Sequence, residues 1–428
     1  MVKWAMLFPG QGSQYAGMGK ELHDECETAR RVFEEADDTL GYKLSEIAMG
    51  TDEKRLTRTE YTQPALLAVG VAAYRAFRER IGRTPDYAAG HSLGEWTALA
   101  CADAMSFPDA LRLVALRGRL MQEAADEGEG AMCAIIGLDA REVESACRSR
   151  FAAGEEVVVS NYNSPVQTVI SGRADAVRHT AAELESRGAK AVYLNVGAAF
   201  HSPLMAPAAE RLKEAVSQAA IAAPRWPVLS NVTALPYAST DEIAGLLVEQ
   251  LVSPVRWEAT LRFLEEAGAG AAVELAPRTV LTRLVKATVA GISAFSFEKP
   301  SQTDELRERL RPFFADERTR ARGFVAGCLT HAAATRNRNW DEQSYREGVI
   351  EPYRTIEAIQ ERLDAEERAP ESDEMRESLG LLATIFRTKG VPEDEAEERL
   401  RELVVRTETG DLFPEYAEAS AERAAAGR

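Results

Sequence analysis

Apolar positions along the chain change their spacing in a recurring order. Residues 2–8 (VKWAMLF) form an apolar run closed by Pro9-Gly10, which reads as a short buried strand. Residues 17–37 and 63–80 carry apolar stripes at helical spacing, the second ended by Gly82 and Pro85. Tyr87-Ala88-Ala89-Gly90 reads as a strand, and helical spacing resumes over 93–102 and 107–126. Such alternation packs helices against a largely parallel sheet. A second arrangement begins near Gly130: strand 131–138, helix 139–150, strands 157–162 and 167–172 around the turn Asn163-Ser164-Pro165, helix 174–188 and strand 189–196. That β-α-β-β-α-β order is ferredoxin-like. Strands near 227–231, 271–275 and 292–297 then return to the first pattern, and past Lys299 nearly every segment is helical, punctuated at Gly390-Val391-Pro392.

The fold class expected is α/β. A larger hydrolase-like α/β subdomain with a parallel sheet and a nucleophile elbow occupies 1–128 and 197–300. A ferredoxin-like subdomain is inserted at 129–196, and a helical appendage of unknown role fills 301–428.

Composition narrows the partners. With 51 basic and 68 acidic residues the net charge is −17, which argues against nucleic acid or an anionic membrane surface. Residues 301–360 are neutral, whereas 361–428 hold 19 acidic against 10 basic residues, so the appendage carries its charge in its second half. The five cysteines (Cys26, Cys101, Cys133, Cys147, Cys328) are dispersed, without CxxC or metal-ligand spacing. A reducing, cytoplasmic setting without a metal is expected. The N-terminus lacks the apolar core and cleavage site of a signal peptide, and no apolar run has the length of a membrane span.

Chemistry concentrates at GHSLGE (90–95). A serine between glycines, after a strand and before a helix, sits where a nucleophile elbow belongs; a plain tight turn is the alternative. Serine needs a base within hydrogen-bond reach. Of the five histidines, His91 adjoins Ser92 but should diverge from it across the elbow. His23 and His179 lie in charged helical contexts, and His331 lies in the appendage. His201, in AAFHSPLM after the insert, is the candidate base, with a structural histidine as the alternative. On helix 107–126, Arg117 is flanked at helical spacing by Leu113, Val114, Leu120 and Met121. An arginine on so apolar a face needs an anion, either a ligand or an internal carboxylate.

The motifs LFPGQGSQ (7–14), TQPALLA (62–68), GHSLGE, LRGRLMQEA (116–124), NYNSP (161–165), AFHSPLM (199–205), SPVRW (253–257) and VELAPRTVLTRLVK (273–286) occur in one order. In that order the chain, from residue 1 to about 300, resembles malonyl-CoA:acyl-carrier-protein transacylases and the acyltransferase domains of polyketide synthases. The resemblance implies a malonyl transferase acting through an acyl-serine. Ser92 would be the nucleophile, His201 the general base and acid, and the carbonyl of Gln250 the group that orients the imidazole. Main-chain N–H groups of Gln11 and Leu93 would form the oxyanion hole, and Arg117 would hold the malonyl carboxylate. Gln63 and Asn163 would line the site as amide partners. Phe200, before the histidine, accompanies malonyl rather than methylmalonyl in polyketide enzymes, although Ala198 departs from the histidine common there. Ala276 replaces a usual glycine, at an expected cost in loop freedom. The resemblance further implies malonyl-CoA as substrate, no bound cofactor, and a carrier protein that brings the phosphopantetheine.

Two other functions compete with transfer to a carrier. A hydrolase clearing stalled carriers is disfavoured by Arg117, and a docking module is disfavoured by the intact Ser92, His201 and Arg117 together. The setting expected is polyketide synthesis, towards which Phe200 and the appendage lean, with fatty-acid synthesis as the alternative; a chain starting at Met1 without a preceding ketosynthase argues for a stand-alone enzyme, and a monomer is expected. The stretch Arg311–Arg338 holds six arginines (Arg311, Arg318, Arg320, Arg322, Arg336, Arg338) against Asp316 and Glu317. It would either steer an acidic carrier or pair with the acidic segment 361–428.

Overall fold

The computed structural model describes residues 3–313, 317–366, 368–407, 409–410 and 412–417. The chain forms two compact units, Met1–Phe313 and Phe314–Arg428.

The first unit is built on a five-stranded parallel sheet of β1 (Lys3–Phe8), β2 (Tyr87–Gly90), β7 (Val228–Leu229), β8 (Ala269–Leu275) and β9 (Ser293–Phe297), in the order β7-β2-β1-β8-β9. From Trp4 to Phe8 every residue of β1 is buried, as befits a central strand covered on both faces. The register sets Phe8 beside Gly90, so the loops that follow β1 and β2 leave the sheet together at its carboxyl edge. Ligands of open α/β sheets bind at that edge. The helices Thr59–Ile81, Leu93–Cys101 and Phe107–Asp126 pack on one another there, and Gly70 permits their close approach: a Cβ at that position would stand 2.6 Å from Thr97 Cγ2.

The insert is a four-stranded antiparallel sheet of β3 (Gly130–Ile136), β4 (Val157–Ser164), β5 (Gln167–Arg173) and β6 (Lys190–Tyr193), ordered β4-β5-β3-β6 as the ferredoxin-like pattern requires. Its helices Ala140–Ala152 and Ala174–Ser186 close a core that includes Ile135, Cys147, Ile170 and Leu184. The insert is stitched to the larger part by main-chain bonds from Tyr162 N–H to the Val255 oxygen (2.9 Å) and from Val255 N–H to the Ser160 oxygen (2.8 Å). SPVRW thus lies between the two sheets.

Several expectations need correction. The helix expected over 17–37 is two helices, Lys20–Glu25 and Glu27–Leu40. Gly17 and Gly19 take positive φ before it starts, and extended Cys26, whose thiol meets Thr28 Oγ1 and Glu79 Oε2, breaks it. The strands expected over 189–196 and 227–231 shorten to Lys190–Tyr193 and Val228–Leu229, and β4 runs through Ser164, into the turn expected at 163–165. The larger unit does not stop at 300. The helix Thr303–Leu310 buries Leu306 and Leu310, Arg309 lies over the Phe295 ring, and Arg307 donates to the Arg80 oxygen at 2.6 Å. Ala276 costs the loop no left-handed strain, because positive φ falls instead on Arg278 (65°).

The second unit packs Glu317–Ala334, Glu351–Ala365, Ser372–Thr388 and Glu393–Arg406 around Phe324, Cys328, Ile356, Leu382, Phe386 and Leu403. The side chains of Arg318, Arg320 and Arg322, on which carrier steering was expected, lie outside the described residues. Arg338 pairs with Glu395 at 3.0 Å, which is the internal pairing weighed against steering. Arg362 and Arg368 both reach Glu374 at 2.7 Å and hold its carboxyl down to about 2.

Candidate active site

Ser92 joins β2 to the helix Leu93–Cys101 with φ 51° and ψ −105°, a conformation that a non-glycine residue keeps only when its surroundings enforce it. Two glycines make room for the turn. A Cβ at Gly90 would lie 1.8 Å from the Gly94 carbonyl carbon, and one at Gly94 would lie 1.9 Å from the Phe8 oxygen. His91 N–H donates to that same oxygen at 3.0 Å. Asn231 clamps the elbow from the other side: its Oδ1 accepts from Ser92 N–H, and its Nδ2 donates to the Gly90 oxygen, both at 2.7 Å.

Ser92 Oγ stands 2.8 Å from His201 Nε2, and His201 Nδ1 stands 2.7 Å from the main-chain oxygen of Gln250. A carbonyl only accepts, so Nδ1 carries the proton and Nε2 is left to accept from the serine hydroxyl. Burial, reinforced by the charge of Arg117, pushes the His201 pKa down to about 3. The ring is therefore a neutral base at neutral pH.

Arg117 is wholly buried. Its Nη2 donates to Ser92 Oγ at 3.1 Å and to Gln250 Oε1 at 3.0 Å, and its Nη1 donates to Gln63 Oε1 at 2.6 Å. Burial lowers its pKa to about 10, so it stays cationic at neutral pH. Among the described residues it forms no ion pair with a carboxylate, so the internal salt bridge weighed from the sequence is not formed. Two neutral amides and a hydroxyl hold the cation, Nε–H has no partner, and one Nη1–H is unused. A buried guanidinium with two free donors beside a nucleophile is suited to receive an anion.

The other expected residues divide into those that touch this centre and those that do not. Gln63 supports Arg117 and donates to Met121 Sδ at 3.0 Å. Gln250 contributes its side chain as well as its carbonyl: Nε2 reaches the Ser92 oxygen at 3.0 Å, Asn231 Oδ1 at 3.3 Å and Glu95 Oε2 at 2.5 Å. Phe200 is buried immediately before His201, whose φ is 57°. The main-chain N–H groups of Gln11 and Leu93 have no partner among the described residues. Asn163 meets neither Ser92 nor His201; its Oδ1 accepts from His91 Nε2 at 2.9 Å, and its Nδ2 donates to Gln167 at 3.1 Å. It holds the residue before the nucleophile away from it, with the His91 ring tilted over Trp257.

Glu95, Asn231 and Tyr237 were not singled out from the sequence. Glu95 left a trace, as the one charged residue of LGEWTALAC, a helix buried at all nine positions. Asn231 and Tyr237 left none. All five cysteines are free and buried. Among the described residues no cluster of side chains could hold a metal ion, and no helix is long and apolar enough to cross a membrane.

Residues 5–312 match the acyl transferase domain family. A malonyl CoA-acyl carrier protein transacylase of Bacillus subtilis strain 168 is 44% identical over 307 residues, covering 72% of this chain and 96% of that protein. A second transacylase of the same name from Bacillus subtilis is 34% identical over 395 residues, 91% of this chain and 97% of its own length. Because the first unit ends at Phe313, that similarity extends well into the second. Among solved structures, a malonyl transacylase in complex with its type II polyketide-synthase acyl-carrier protein is 42% identical, with a TM-score of 0.69 over 72% of this chain and 99% of that one.

Proposed function

The chain belongs to the acyl transferase domain family, and on that premise we propose that it moves malonyl from coenzyme A to the phosphopantetheine thiol of an acyl carrier protein through an ester on Ser92. The observation that carries the choice of malonyl is the Arg117 guanidinium, cationic, buried, unpaired with any carboxylate among the described residues and 3.1 Å from Ser92 Oγ. Malonyl differs from acetyl by a distal carboxylate, and this is the cation to meet it.

The steps follow from the geometry. His201 Nε2 takes the hydroxyl proton as Ser92 Oγ attacks the thioester carbonyl, while the Gln250 oxygen steadies Nδ1–H. The free N–H groups of Gln11 and Leu93 receive the oxyanion. Its collapse breaks the C–S bond, and His201 returns the proton to the departing thiol. In the second half the carrier thiol gives its proton to His201 and attacks the ester, and Ser92 leaves with that proton. Arg117 holds the malonyl carboxylate throughout. Phe200 narrows the site against a methyl on the α-carbon, a discrimination worth about 1–3 kcal/mol.

We assign the enzyme to polyketide synthesis, as a separate cytoplasmic monomer. Phe200 and the similarity to a transacylase solved in complex with its type II polyketide-synthase carrier support this setting. Five buried free thiols suit a reducing compartment. No bound cofactor is needed, since the carrier brings the phosphopantetheine.

Incubation with malonyl-, methylmalonyl- and acetyl-CoA, followed by intact-mass measurement and addition of holo carrier protein, tests the reading. Malonyl is expected to load fastest and to pass to the carrier, with little free malonate. Malonate released equally fast with and without carrier would make the protein a hydrolase.

A further inference from the structure

Glu95 takes no part in the steps above, yet its partners lead to every reacting group. It is the third residue of the helix Leu93–Cys101 and is completely buried. Oε2 accepts from the Asn231 main-chain N–H at 3.1 Å and from Gln250 Nε2 at 2.5 Å, and Oε1 accepts from the Tyr237 hydroxyl. Asn231 holds the Ser92 N–H. Gln250 presents one oxygen to Arg117 and the other to His201. A carboxylate only accepts and an amide has one nitrogen, so the nitrogen of Gln250 turns to Glu95 and its side-chain oxygen is left facing Arg117.

We propose that Glu95 is the positioning carboxylate of this active site: through the Gln250 amide it orients Arg117 and His201, and its negative charge offsets both the Arg117 cation and the imidazolium that His201 becomes. The inference rests on the transacylase reading. In a serine triad a carboxylate bonded to the imidazole performs this task; here a main-chain carbonyl occupies that place and the charge stands one amide behind it. A buried ion pair at contact would occupy the guanidinium donors. A carboxylate behind an amide balances the charge and leaves them free for substrate.

The titration order follows from the surroundings. The charged or titratable groups facing Glu95 are Tyr237 from the loop after β7, Arg117 from the helix Phe107–Asp126 and, across Gln250, His201. Burial pushes the Glu95 carboxyl up to about 7, opposed by the hydroxyl and N–H donors around it. Tyr237 is pushed well above its usual value, Arg117 stands at about 10 and His201 at about 3. Glu95 is thus the group that changes charge near neutrality. Protonation removes its charge, so loading falls as pH drops through about 7 and recovers above it.

Glu95→Gln separates charge from shape. Its oxygen can accept from Asn231 and Gln250 while its NH2 donates to the Tyr237 oxygen, so only the charge is lost. The rate of malonyl loading on Ser92, measured by rapid quench and intact mass on either side of neutral pH, is expected to fall roughly ten- to a hundredfold above neutrality. KM should change little, the unfolding temperature should hold and the acid limb should vanish. Loading at the wild-type rate with the limb unchanged would overturn the proposal. Wild-type enzyme that fails to load malonyl would instead overturn the transacylase reading. If Glu95→Gln does not fold, Tyr237→Phe removes one donor from the carboxylate and should move the limb to higher pH; an unmoved limb overturns the proposal equally.

Discussion

Ser92→Ala is expected to take no acyl group from any acyl-CoA, with kcat reduced on the order of a millionfold, the scale of losing a serine nucleophile. The substitution removes Oγ alone. The bond that fixes the elbow runs from the main-chain N–H of residue 92 to Asn231, and alanine forms it equally well. Alanine also occupies the same φ of 51°, so the backbone strain is already present in the wild type. Losing Oγ leaves Arg117 Nη2 and His201 Nε2 each short of one partner, so the unfolding free energy should fall by about 1–3 kcal/mol, with the fold kept. A variant that still gains the malonyl mass would place the acyl group elsewhere.

Arg117→Ala should separate two donors. Malonyl brings a carboxylate to the Arg117 guanidinium, which has donors to spare, whereas acetyl brings none and depends on the dyad and the oxyanion donors. Leaving one partner of a buried charge pair alone costs about 2–5 kcal/mol, a fall of roughly thirty- to several-thousandfold in kcat/KM for malonyl. Acetyl loading should fall far less. Arg117→Lys should lie between, because an ammonium restores the charge without the planar fork. Equal losses for malonyl and acetyl would make Arg117 a support for Ser92 and Gln250 rather than the substrate's counter-ion.

The parts of this site that were legible in the sequence are those where local chemistry is one-sided. Glycines around Ser92 announce a turn that no other residue would fit, and both proved to touch neighbouring backbone. Arg117 among leucines, valine and methionine announces an unmet charge, and the structure leaves two of its donors unmet. His201 emerged by elimination among five histidines. Gln250 shows the limit: the carbonyl–imidazole bond was implied by resemblance, but its side chain, which meets Arg117, Glu95 and Ser92, was not. Residues 95, 231, 237 and 250 come together only because β7 pairs with β2, and a strand as short as Val228–Leu229 has too little pattern to fix that pairing in advance.

Elsewhere the difficulty was backbone conformation. The stripe over 17–37 is apolar at helical spacing, but Gly17, Gly19 and extended Cys26 interrupt it without disturbing the spacing. The boundary expected at 300 followed a change to helical texture. Texture does not show which core a helix joins, and Leu306 and Leu310 are buried with the first unit. For the second unit the helices were legible and their role was not, since a bundle core of Phe, Leu and Ile specifies packing alone.

The claim on which the rest depends is a malonyl ester on Ser92 that a carrier thiol discharges. The most direct measurement is a single turnover with malonyl-CoA, quenched and digested, with the acyl mass located by peptide sequencing before and after holo carrier protein is added. The account predicts malonyl on the peptide containing Ser92, lost from it and gained by the carrier in equal amount. Malonyl on another residue, or a loaded Ser92 that empties to water at the same rate without the carrier, would contradict it.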